Sequence, residues 1–133
     1  NTMGGDTMTE KIQQADWKEF FDRISQDFLD WEISVQILNQ NSGAQMLSEG
    51  LPFNGLTYEN RHGHGVMELN VGGGSKNHQT HNIYEPRSVA FEAHGPGGTL
   101  DIEDDSGTKT LVNFLHPMPF LVEYVKSELL TLG

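Results

Sequence analysis

The sequence predicts an α+β fold: an N-terminal helix, six to eight short antiparallel strands forming a bent sheet or small barrel, and a C-terminal helix. Three observations lead there. Apolar residues recur at three- and four-residue steps over Asp16–Asp30 and again over Phe120–Leu132. Between these segments, apolar and polar residues alternate in short runs. The runs follow one another through turn-forming residues with no helical crossover, which excludes a Rossmann-type sheet.

In the first helix Trp17, Phe20, Phe21, Ile24, Phe28 and Leu29 form the apolar stripe. Asp16 stands at the N-cap position, with Glu19 three residues on, as in a capping box. Glu32–Leu38 then alternates with Ile33, Val35 and Ile37 on one face, a half-buried strand. Asn39–Gly43 is a turn. Ala44–Glu49 and Gly55–Glu59 read as two strands split by Leu51-Pro52. Asn60–Gly65 reads as a hairpin loop leading to an alternating strand over Val66–Val71.

A flexible Gly72-Gly73-Gly74-Ser75 link follows. His78–Ile83 reads as an edge strand, because Pro86 lies close by and cannot donate to a ladder. Ser88–Ala93 is a strand, and Gly95-Pro96-Gly97-Gly98 a turn. Thr99–Glu103 and Lys109–Leu115 flank Asp104-Asp105-Ser106-Gly107, a hairpin signal. Pro117 and Pro119 end the sheet. Phe120–Leu132 places Leu121, Val125, Leu129 and Leu132 on one helical face.

The 133 residues are the size of one domain. Residues 14–133 are expected to form it, after a disordered segment at 1–13 that has no apolar core of a signal peptide. With 19 acidic and 8 basic residues the formal charge is −11, which repels phosphate backbones and anionic lipid. Neither nucleic acid nor membrane is therefore an expected partner, and no run is long enough for a membrane-spanning helix. Cysteine is absent, so no disulfide or thiolate site exists. A cytoplasmic location is expected.

Six histidines invite a metal reading. His62 and His64, two apart, would point the same way on an extended chain. His78 and His81, three apart, would not. No HExxH spacing completes a set, so His62, His64 and His78 stand as weak candidates, and no metal or other cofactor is expected. Protonating all six histidines would raise the formal charge by six, a possible switch near pH 6 that surface histidines rarely provide. Asp101, Glu103, Asp104 and Asp105 fall out of EF-hand register: Gly107 is one place late and Val112 stands where the closing Glu belongs. The glycines at 72–74 lack the GK[ST] ending of a phosphate loop. No GxSxG elbow occurs, so no catalytic residue is assigned.

The densest polar and aromatic cluster is His81-Asn82-Ile83-Tyr84-Glu85-Pro86-Arg87. Along an edge strand it would dock a peptide or another subunit by strand addition. His81, Tyr84 and Arg87, with Tyr58, are the expected binding residues.

Three segments together resemble an uncharacterised bacterial family of small domains of unknown function. Ala15–Ser25 resembles its opening W-x-x-[YF]-F-D-x-[LI]-S. Leu51–Glu59 resembles its L-P-L-x-G-I-x-Y-D segment, and His81–Val89 its H-x-I-x-x-P-R-x-I segment. The acidic hairpin Leu100–Leu115 fits as well. The resemblance covers roughly residues 15–115 and implies no catalytic residues. His62-Gly63-His64 and the helix after His116 depart from the pattern.

The function expected is a non-enzymatic binding or assembly module of a bacterial cell. It would use a sheet edge or its terminal helix to form a homo-oligomer or hold a protein partner. The alternative is a small metal- or ligand-dependent enzyme, or a small-molecule binder, with its site near His81.

Overall fold

The computed structural model describes residues 8–72 and 78–117. Eight antiparallel strands form one sheet in the order β1-β6-β7-β8-β2-β3-β4-β5. They are β1 Met8–Ile12, β2 Trp31–Asn39, β3 Gly43–Arg61, β4 His64–Val71, β5 Gln79–Tyr84, β6 Pro86–His94, β7 Gly97–Asp104 and β8 Lys109–Pro117. A short 3-10 turn, Gln14–Asp16, leads into α1, Trp17–Asp27.

The two-helix α+β arrangement expected from the sequence is corrected accordingly. The described residues form a mostly antiparallel β structure with one short α-helix. The second expected helix, over 120–132, lies outside them. Residues 8–12, expected to be disordered, instead form β1, which pairs with β6.

The long strand β3 gives the sheet its bend. Its first half pairs with β2 and its second half with β4. Against β2 it carries two extra residues, Leu47 and Gly50, each a bulge that sharpens the local twist. Gly50 has φ +80°, a left-handed conformation that glycine adopts without strain. Pro52 falls where β3 changes partner. It is the last residue opposite β2, and Phe53 is the first opposite β4. A missing amide there removes no rung from the middle of a ladder. The proline that seemed to split two strands sits inside one.

Turn geometry follows composition. His62 (φ 55°) and Gly63 (φ +86°) are both left-handed and join Arg61 to His64 as a two-residue hairpin, so the loop expected over 60–65 is shorter. Gly97 and Gly98 serve close approach instead. A β-carbon at Gly97 would run into the Phe114 carbonyl, and one at Gly98 into the Phe91 ring.

The concave face of the sheet holds the core, built from Ile33, Val35, Leu56, Met67, Leu69, Val89, Leu100, Ile102, Val112 and Phe114. Helix α1 lies over it and inserts Trp17, Phe21 and Ile24. The Trp17 indole donates to the Ile12 carbonyl at 3.0 Å, tying helix to β1. Phe28, just past the helix, stacks on Phe114 at 4.5 Å between ring centroids and meets Trp31 edge-on at 4.8 Å. Leu29, expected on the buried stripe, is exposed because the helix has already ended. Asp16 stands at the N-cap, but its side chain makes no capping bond, so the expected capping box does not form.

Candidate functional site

Among the described residues the sheet ends at β1 and β5 with no further strand, and its bend leaves another edge. Where β2 stops, the second half of β3 has no strand on that side. Helix α1 covers it: Ser25 Oγ donates to the Leu56 carbonyl (3.2 Å) and accepts from the Leu56 amide (3.0 Å). The Asp30 amide likewise donates to the Phe53 carbonyl at 2.8 Å. The first half of β3 is open on the opposite side, because β4 ends opposite Phe53.

A small pocket of about 60 Å³ lies between that first half of β3 and strand β5. Val35, Leu47, Leu69 and Val71 supply apolar walls; Ser48, Gln79, Thr80 and His81 supply polar ones. Ser48 is 7% exposed, and its hydroxyl has no hydrogen-bond partner in the protein. Native folds pair nearly all such groups, so this one calls for an occupant or a water nearby. Leu47, the bulged residue, is 42% exposed at the rim.

His81 stands opposite Leu69, and therefore on the concave side of β5. Burial among the pocket walls holds its imidazole below the usual histidine pKa. A neutral imidazole presents one donor and one acceptor. Thr80 turns its hydroxyl to the other face, donating to Asn70 Oδ1 at 2.7 Å. What it offers the pocket is main chain.

The other expected binding residues do not join His81. Tyr84 is opposite Val66 on the convex face and 61% exposed. Arg87 is the extra residue of a bulge between Pro86 and Ser88, exposed to solvent. Tyr58 packs edge-on against Trp17, with ring centroids 5.2 Å apart, and accepts a long bond from Gln14 at 3.4 Å. Its role is in the packing between α1 and β3. Sequence alternation placed His81 and Tyr84 on one strand; that alternation also puts residues three apart on opposite faces.

The weak metal candidates are separated too. His62 is at the hairpin tip. His64 Nδ1 bonds Glu85 Oε1 at 2.9 Å, and His78 Nδ1 lies 3.4 Å from Asn54 Nδ2. Among the described residues no three His, Asp or Glu side chains group as a metal set. No helix among them is long and apolar enough to cross a membrane. Ser48 and Leu47 were missed from the sequence, because only the bend of β3 brings them to β5.

The fold and the pocket define a small β-rich domain with a helix sealing one strand edge and, among the described residues, other edges without a partner. The chain belongs to the family of unknown function DUF5335, whose model matches residues 8–121. This bears out the resemblance to an uncharacterised bacterial family. The chain is also similar to an uncharacterized protein of Aquifex aeolicus (strain VF5), 24% identical over 112 residues, which cover 84% of this chain and 96% of that protein. No solved structure matches it.

Proposed function

We propose that the protein is a non-enzymatic docking module of the bacterial cytoplasm that takes an extended polypeptide segment along β5. The observation that carries this reading is the state of that edge. β5 ends the sheet, and its six residues, Gln79–Tyr84, include no charge and no proline. Edge strands that must stay solitary are usually protected by such residues, by bulges or by a covering element. The second half of β3 has its cover in α1; β1 carries Glu10 and Lys11. β5 has a pocket beside it instead, and strand addition uses main-chain bonds for affinity and adjacent pockets for specificity. A whole metabolite is less well served, since sites for such ligands run to roughly 300 Å³ or more.

The test is amide hydrogen exchange with and without the peptide Ac-Thr-Lys-Val-Lys-Thr-NH2. Added strand bonds should slow exchange across residues 79–84. Protection confined to other strands would overturn the reading.

A further inference from the structure

The pocket beside β5 is too small for a metabolite, yet it is bounded by apolar side chains, an orphaned hydroxyl and the main chain of an open strand. We propose that it anchors one branched aliphatic side chain of a basic, extended segment of a partner protein laid along β5. This rests on the docking reading above and specifies its partner.

Size sets the first term. An apolar cavity of about 150 Å³ accepts benzene. A pocket of about 60 Å³ therefore suits an isopropyl group and excludes an aromatic ring. Val35, Leu47, Leu69 and Val71 match such a group chemically. A side chain arriving from a strand on β5 would enter on the concave side, where His81 and Ser48 lie, with its own main chain close to the polar rim. The neighbouring residues of that strand would face the convex side.

Charge sets the second term. The three segments around the pocket, 43–52, 64–72 and 79–84, contain Glu49 and Glu68 and no lysine or arginine. Glu68 is opposite Asn82, on the convex face of β4 next to β5. The chain as a whole carries a formal charge of −11. A segment with Lys or Arg on either side of its aliphatic anchor is attracted there, and an acidic one is repelled. The same acidity disfavours a second copy of this chain as the occupant. The inward residues of a second β5 would be Gln79, His81 and Ile83, and Ile83 is already buried in its own core.

The experiment titrates the protein with Ac-Thr-Lys-Val-Lys-Thr-NH2, its twin with Gly in place of Val, its twin with Glu in place of both Lys, and a Val peptide N-methylated at all five residues, which removes the strand bonds in either direction of docking. The Val peptide is expected to bind about tenfold more tightly than the Gly twin, the scale of a few methyl groups in an apolar pocket. The Glu twin should bind more weakly still. Leu47→Arg, at an exposed rim position, and Ser48→Val, which fills the pocket from within, should each remove the preference for Val. Equal binding of the Val and Gly peptides overturns the anchor pocket while leaving edge docking standing. Undiminished binding of the N-methylated peptide overturns edge docking and leaves the pocket. Binding of none of the peptides overturns both. A dimer of the free protein that Thr80→Lys dissociates would make a second copy the occupant and overturn the proposal.

Discussion

The Ser25 hydroxyl holds both main-chain groups of Leu56, donating to its carbonyl and accepting from its amide. One helical side chain thereby takes the place of a missing strand at the bend of β3. Removing it leaves two part-buried main-chain groups without a partner. Ser25→Ala should therefore lower unfolding stability by about 1–3 kcal/mol, read as a lower denaturant midpoint with the slope unchanged. A shift no larger than that of a surface substitution would show that water replaces the hydroxyl.

The approach of β7 to its neighbours depends on the absence of side chains at two consecutive positions. At Gly98 an added methyl meets the Phe91 ring and the Glu92 carbonyl, and at Gly97 it meets the Phe114 carbonyl more closely still. Gly98→Ala should cost about 1–3 kcal/mol, and Gly97→Ala more. Thermal melting of both variants orders the two sites. The reverse order would place the tighter contact at the aromatic ring.

Trp17 fills core volume and satisfies the Ile12 carbonyl with a single side chain. Trp17→Phe keeps most of the volume and removes the indole N–H, so exchange of the β1 amides should rise more than that of β7 or β8. Uniform loss of protection would mean that β1 is held by its ladder with β6 alone.

His81 makes stability depend on pH. Its folded-state pKa lies below the ordinary 6.5 because burial opposes the charged form. The unfolded chain therefore binds the proton more readily, and stability rises with pH across this range. It is fully present above about 6.5 and is lost as pH falls below that value toward the folded pKa. The walls around it, Val35, Leu47, Ser48, Leu69 and Val71, bring no charge to offset the effect. His81→Gln should flatten the difference in denaturant midpoint between pH 7.5 and pH 5.5. An unchanged difference would assign the pH dependence to other groups.

Strands such as β2, β4 and β6 were legible because alternation is a local signal that survives in any tertiary setting. The hairpin turns were legible for the same reason. β1 was not: its partner is β6, far along the chain, and Glu10 occupies a position opposite Phe91 where alternation would place an apolar residue. The unity of β3 was hidden by Pro52, whose missing amide matters only if the strand keeps one partner throughout. Half of the candidate site followed the same division. His81 stood out as a histidine on an edge strand. Ser48 and Leu47 carry no signal of their own, since an unpaired hydroxyl and a bulge exist only once β2 and β3 are in register.

The seam between β2 and β8 sets Val35 opposite Val112, so the middle of the sheet is joined by strands far apart in sequence. As the polypeptide leaves the ribosome, β2 through β7 emerge before the strand that completes them. During that interval the apolar faces of β2 and β7 have no shared neighbour, and non-local pairing of this kind is slow. The sheet can therefore close across its middle only once β8 is free.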